Sequence, residues 1–181
     1  MVLPDAQRLS GAIAVRRLAL SETGTAVPAL ADVLVDCVAG GASVSFMADL
    51  TLAEAEAFWR GEIGADDGRA ILVAHDELGI CGVVQVIPAW PPNQTHRADI
   101  AKMLVHRRAR RRGVGEALLA AAETAALEMG RSVLVLDTVT GGDAERLYAR
   151  NGWVAVGSIP DYALMPDGVL CATTVFYKAL T

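Results

Sequence analysis

Apolar positions along the chain alternate between a period near two and a period near 3.6, and the changes of period mark out its elements. A β-branched run predicts a strand over residues 13–18, and apolar residues at helical spacing then predict a helix over 27–38, ended by Gly40-Gly41. Thr51-Leu52-Ala53-Glu54 is a capping-box pattern, in which a hydroxyl and a carboxylate satisfy the first amides of a helix running through Phe58 and Trp59. Residues 69–74 and 80–87 are apolar runs on either side of His75-Asp76-Glu77-Leu78-Gly79, which predicts an antiparallel hairpin. Ala89-Trp90-Pro91-Pro92-Asn93 breaks the chain, and residues 97–105 read as the next strand. Leu118, Ala122, Ala125 and Met129 share one side of a long helix that Gly130 is placed to cap. A short buried strand over 133–136, a helix over 143–150 and strands over 154–159 and 171–177 follow, with residues 160–168 as a loop. Strands bunched early and alternating with helices later predict an α/β chain with a mixed sheet, antiparallel in its first half and parallel around residue 105.

Composition narrows this little. A chain of 181 residues that is 53% apolar excludes disorder and fits one domain over residues 1–181. Asp5, Arg8 and the pair Arg16-Arg17 interrupt the start where a signal peptide needs an apolar stretch, so a soluble, cytoplasmic protein with no membrane partner is expected. Cys37, Cys81 and Cys171 are odd in number and far apart, which suits buried reduced thiols, and the scattered His75, His96 and His106 suggest no metal.

Charge changes the picture at one place. The net charge is −5, yet Val105 to Leu119, VHRRARRRGVGEALL, holds five arginines in six residues at the point where a strand turns into a helix. Such a cluster fits a nucleic-acid patch, a targeting signal or a solvated helix face. A local anion fits a net acidic chain better, since a nucleic-acid domain usually presents a wider basic surface. Uncapped amides at a helix start carry partial positive charge, and glycines admit a ligand close to them, which suits a diphosphate. The run lacks the Gly-Lys-Ser/Thr ending of a P-loop, and Leu118 stands where the dinucleotide fingerprint needs its third glycine.

Arg110-x-x-Gly113-x-Gly115 resembles motif A of the GNAT superfamily of N-acetyltransferases, and the segment from Ala144 through Tyr148 to Gly152-Trp153 resembles its motif B. The resemblance implies a GNAT fold, a mixed sheet of about seven strands with splayed central strands and about four helices, binding acetyl-CoA as cosubstrate without a metal. By the same resemblance Met103, Leu104 and Val105 meet the pantetheine arm, and Arg110, Arg111, Arg112, Gly113, Val114, Gly115 and Glu116 hold the pyrophosphate. Tyr148 takes the position of the general acid, although a tyrosine near Trp153 is also a natural core residue. Asp99 takes the position of a catalytic glutamate, against the alternative that it pairs with Arg97 or binds an ammonium. Strict alternation would set Asp99 on one side with Ala101, Met103 and Val105. Gly141 departs from the family pattern, in which an asparagine often contacts the cofactor arm.

An alkylamine with a pKa of about 10.4 is protonated at neutral pH, so acetyl transfer needs a base or a water relay, and a strand amide near residues 103–105 to stabilise the oxyanion. Asp137 is the rival carboxylate, with capping of the turn over 138–142 as its alternative. Trp90, Trp59 and Phe46 are candidates for an acceptor pocket or for packing, and Asp161, Tyr162 and Asp167 for a closing loop. Arg97 or His96 could hold an amino-acid carboxylate. RADIAKMLV, LDT and PDYALMPDG are similar to segments of the tabtoxin-resistance branch, which acetylates an amino-acid-like toxin. The expected activity is transfer to the primary amine of a small molecule in a ternary complex. A non-catalytic acyl-CoA sensor and an RNA-binding protein are the alternatives, and pairing into a homodimer stays open.

Overall fold

The computed structural model describes residues 13–180, so the reading of the N-terminal dozen lies outside the described residues. One mixed sheet of seven strands runs through them, in the order β1-β2-β3-β4-β5-β7-β6. The elements along the chain are β1 (Ala14–Arg17), α1 (Thr23–Ala39), α2 (Leu52–Ile63), β2 (Ala70–Asp76), β3 (Gly79–Pro88), β4 (Arg97–Val105), α3 (Val114–Glu128), β5 (Val133–Val139), α4 (Asp143–Arg150), β6 (Val154–Leu164) and β7 (Leu170–Ala179).

The central strands are apolar on both faces because both are covered. Ile71, Val73, Val83 and Leu104 face α1 and α2, where Leu30, Leu34 and Trp59 are buried. Leu72, Val84, Val86, Ala98 and Ile100 face α3, with Leu118, Leu119 and Ala122 between them. The capping box forms as the sequence predicts, with the Glu54 amide donating to Thr51 Oγ1 and the Thr51 amide to Glu54 Oε2. Helix α1 starts earlier than expected, because Pro28 lies on its exposed side and the helix runs through it. Among the described residues no helix is long and apolar enough to cross a membrane. Cys37 and Cys81 are buried free thiols, and Cys171 is half-buried rather than buried.

Two irregularities shape the middle of the sheet. Strands β4 and β5 are parallel and pair only at Arg97↔Val133, Ala98↔Leu134 and Asp99↔Val135. Beyond those pairs they part, while β4 stays paired to β3 and β5 to β7. The second is a bulge in β4, where the pairing shifts between Gln85↔Ala101 and Val83↔Leu104 and Lys102 takes a left-handed φ of +48°. The extra residue inverts the alternation. Ala98 and Ile100 face α3 before the bulge, and Met103 and Val105 face it afterwards. Asp99 therefore lies on the opposite face from Met103 and Val105, which corrects the strict alternation expected from the sequence.

The C-terminal hairpin also differs from expectation. Residues expected as a loop over 160–168 belong largely to β6, whose pairing with β7 slips between Ile159 and Ala163 around Pro160 and Asp161. An edge strand tolerates the missing proline amide there. The hairpin tip reaches the segment between α1 and α2, where Ser43 Oγ donates to the Leu164 carbonyl at 2.8 Å and the Ala48 amide to the Pro166 carbonyl at 3.0 Å.

Candidate active site

Structural bonds hold most of the arginine loop between β4 and α3. Asp36, at the end of α1, accepts from the Arg107 amide and from Arg107 Nε, both at 2.8 Å. Asp76, at the end of β2 and 5% exposed in its side chain, takes Arg108 and Arg112 together. Burial would raise its pKa, but bonds from Arg108, the Leu78 amide and Arg112 hold it below the usual aspartate value. Arg110 folds back so that Nε donates to the Val105 carbonyl at 3.2 Å. Arg110 and Arg111 have no ion pair among the described residues, and both are exposed.

The pinned loop presents its backbone outward. Arg111 has φ +60° and Gly113 has φ +77°, and alternation of left- and right-handed residues turns successive amides toward one side as an anion nest. Gly113 precedes α3 with no side-chain cap, and the first intrahelical bond is from the Ala117 amide to the Gly113 carbonyl. The amides of Val114, Gly115 and Glu116 are thus left for an outside acceptor. Gly82 lets the start of α3 lie against the sheet, since a Cβ there would sit 3.0 Å from Leu118 Cδ1 and 3.1 Å from the Leu104 carbonyl. Gly115 serves packing as well, because its Cβ would meet Leu147 of α4 at 3.0 Å. Of the two glycines expected to admit a ligand, Gly115 is thus also required by close helix packing.

Beside this nest lies the gap between β4 and β5. Met103 and Val105 are partly buried on the α3 side, whereas the Leu104 side chain is buried against α1 and only its backbone is available to the gap. Tyr148 enters from α4, 4% exposed, with ring centroids 5.8 Å from Trp153 and 5.9 Å from Phe176. Burial, with the nearby charge of Asp137, pushes its phenol well above the ordinary range. Tyr148 is thus both a core residue and the neighbour of a carboxylate in the gap. Asp137 is not the turn cap envisaged from the sequence: β5 runs on to Val139, and Asp137 Oδ2 accepts from Thr173 Oγ1 at 2.9 Å. Asp99 is engaged by Arg97, the pairing weighed against its role as base. The Gly141 amide donates to the Glu145 carboxylate, closing the turn after β5 on itself.

The remaining candidates scatter. Trp90 is 90% exposed in the loop before β4, at the end where β4 and β5 are still paired, about 25 Å of strand from the arginine loop. His96 and Arg97 lie at that same far end, and Arg97 is bound to Gln94 and Asp99. Trp59 is fully buried core beneath α1. Tyr162 is exposed on β6. Phe46 packs edge-on against Phe58 at 5.1 Å. Sequence reasoning missed Lys102, whose Nζ lies 5.9 Å and 5.5 Å from the Phe46 and Phe58 ring centres and 3.2 Å from Ser45 Oγ. The available signal was scarcity: of sixteen Lys and Arg residues only Lys102 and Lys178 are lysines.

A split sheet beside an uncapped helix start agrees with what the comparisons find. The family model for an acetyltransferase (GNAT) domain matches residues 67–155, the span from β2 into β6 that contains both the nest and the gap. A ribosomal-protein-alanine N-acetyltransferase from Brucella melitensis is 22% identical with a TM-score of 0.75, over 92% of this chain and 99% of its own. A GCN5-related N-acetyltransferase from Kribbella flavida is 24% identical with a TM-score of 0.75, over 93% and 98%. A phosphinothricin acetyltransferase from Sinorhizobium meliloti, solved in complex with AcCoA, is 16% identical with a TM-score of 0.73, over 93% and 88%. The chain thus has the fold of the GNAT acetyltransferases, and its residues 67–155 match that family's domain.

Proposed function

We propose that the protein is an acetyl-CoA-dependent N-acetyltransferase that moves the acetyl group to the primary amine of a small molecule within a ternary complex. The observation that carries this reading is the parting of β4 from β5 directly beside the uncapped amides of α3. Together they offer an anion nest, an open strand edge with unpaired backbone groups, and a buried phenol and a carboxylate across the gap. Acetyl-CoA supplies an activated thioester, and the residues of the chain divide the remaining work.

The amides from Arg111 to Glu116 and the free guanidinium of Arg111 hold the pyrophosphate. Met103 and Val105 line the path of the pantetheine arm, with the backbone of Leu104 between them. A strand amide near Met103 stabilises the oxyanion that develops as the amine attacks. Asp137 stands in the gap, where it takes the amine proton through water, and Asp99, already tied to Arg97, supports the edge at which the strands separate. Tyr148 stays neutral throughout the physiological range, since its pKa is raised, and so donates a hydrogen bond to the leaving sulfur rather than carrying charge itself. The engaged arginines weigh against RNA as a partner, because a polynucleotide would have to compete with Asp36 and Asp76 for them. The free cysteines suit a reducing cytoplasm.

Thiol release from acetyl-CoA, measured over amino-acid, aminoglycoside, polyamine and peptide amines, tests the proposal. Amine-dependent release with at least one small amine is expected. Tight CoA binding without release from any amine would replace it with the sensor reading, and release with peptide amines alone would reassign the acceptor.

A further inference from the structure

The Tyr148 hydroxyl makes no hydrogen bond among the described residues, so no polar partner aims it. Its direction follows from how the ring is held, and the ring rests on Trp153, with centroids 5.8 Å apart and planes at 57°, and on Phe176, 5.9 Å away at 47°. Phe176 has no polar side-chain atom by which it could be steered. Trp153 has one, and its indole Nε1 donates to Glu123 Oε1 of α3 at 3.3 Å. Trp153 is buried, so this bond sets the plane of a ring that apolar packing alone would let slide.

Glu123 is locked in its turn. Lys178 of β7 donates to Glu123 Oε1 and Oε2 at 2.7 and 2.8 Å and to the Asn151 carbonyl at 2.8 Å. Asn151 caps the C-terminal end of α4, where carbonyls lack intrahelical donors and a cation is favoured. The Asn151 and Trp153 amides both donate to the Tyr148 carbonyl, at 3.0 and 3.2 Å. One half-buried cluster thus ties the backbone and the ring packing of Tyr148 to α3 and β7. Apolar side chains of the same volume would stabilise such a place as well as an ion pair does, whereas the pair adds direction. We infer that Glu123 is a positioning residue for acetyl transfer: through the Trp153 indole it sets the orientation in which Tyr148 presents its hydroxyl to the leaving sulfur. This rests on the acetyltransferase reading, with Tyr148 as donor, and adds to it a residue that acts only through its neighbours.

The test is a double-mutant cycle in the thiol-release assay, with Glu123→Ala, Glu123→Gln, Tyr148→Phe and the Glu123→Ala, Tyr148→Phe pair. Glu123→Ala should lower kcat by about 3- to 30-fold and change KM for acetyl-CoA by no more than about twofold. Glu123→Gln should restore kcat although it loses the ion pair with Lys178, because its amide oxygen still accepts from the indole. The double variant should be no slower than Tyr148→Phe alone. Should Glu123→Ala fail to fold, Trp153→Phe deletes the indole donor, leaves Glu123 paired with Lys178, and should show the same loss and the same dependence on Tyr148. An unchanged kcat, a loss that glutamine does not restore, or a loss that persists in full without the Tyr148 hydroxyl overturns the inference. A second measurement needs no turnover. The chain has three tyrosines, Tyr148, Tyr162 and Tyr177, and with ring-¹³C labelling the Tyr148 signals should move in Glu123→Ala and return in Glu123→Gln. Tyr148 signals that stay still in Glu123→Ala also overturn it. Absence of thiol release with every amine would instead refute the acetyltransferase reading, and the tyrosine signals would still decide whether Glu123 sets the ring.

Discussion

Replacing Gly113 by aspartate places a carboxylate at the centre of the nest, and the structure allows the size of the effect to be worked out. Gly113 has φ +77° and is exposed, a conformation that aspartate and asparagine tolerate better than other side chains. The cost to folding is therefore about 1–2 kcal/mol at most, and similar for the two substitutions. The cost to binding differs between them. At a separation of about 5 Å and an effective dielectric of about 20, one carboxylate repels one phosphate charge by about 3 kcal/mol. Exposure of the loop and salt at about 0.15 M reduce this to about 1–2 kcal/mol. Two phosphate charges bring the penalty to about 2–4 kcal/mol, a loss of about 30- to 1000-fold in affinity. Gly113→Asn carries the same bulk without the charge and should lose no more than about tenfold. Calorimetric titration with CoA at low and high salt measures both variants, and the ratio between them should shrink as salt rises. Equal affinities for the two variants at low salt would refute the electrostatic role of the nest.

Three further outcomes follow from the same geometry. Tyr148→Phe should lower kcat by about 10- to 10³-fold with little change in CoA affinity, and, because burial keeps the phenol protonated, the alkaline limb of the rate profile below about pH 10 should not move. Asp76→Asn should destabilise the fold by about 1–3 kcal/mol, since it leaves Arg108 and Arg112 without their shared carboxylate. The folded pKa of Asp76 lies below its unfolded value, so its contribution is present above about pH 4 and fades as pH falls through the folded value; urea denaturation between pH 7 and 3 should show a shallower acid loss in the variant. Gly82→Ala should cost about 1–3 kcal/mol by thermal or urea unfolding, because its Cβ would press at once on Leu118, Val114 and the Leu104 carbonyl.

Much of the fold was legible because periodicity and punctuation agreed. The hairpin of β2 and β3, the capping box of α2, the extent of β4 and the limits of α4 follow from local patterns that tertiary packing did not override. The place of the arginine loop, between a strand and the uncapped start of a helix, was legible from its glycines and the flanking apolar runs. Its side chains were not, because Asp36 and Asp76 reach it from α1 and β2, far away in sequence. The bulge at Lys102 was hidden for a related reason: nothing in RADIAKMLV announces an extra residue, which shows only in the register with β3. That one residue decides which face Asp99 shares and brings Lys102 into the gap. The length of β5 was not legible, because its strand is completed by β7, whose pairing carries it three residues past the apolar run.

Strain in the backbone ties these parts together. Four non-glycine residues have positive φ among the described residues: Ser45, Lys102, Arg111 and Asp161. Ser45 and Lys102 bond to each other at the gap, and Arg111 lies in the nest. Asp161 lies in the slip of β6, the strand whose hairpin tip is bonded to the segment carrying Ser45. A chain with seventeen glycines had the means to relieve any of these positions, and it uses glycine for many of its other left-handed turns. Glycine at 102 would remove the ammonium, at 45 the hydroxyl that bonds it, and at 111 an exposed guanidinium that pairs with no carboxylate among the described residues. At these three positions a side chain is kept where glycine would spare the backbone cost, and strain of this kind persists where the side chain has a task.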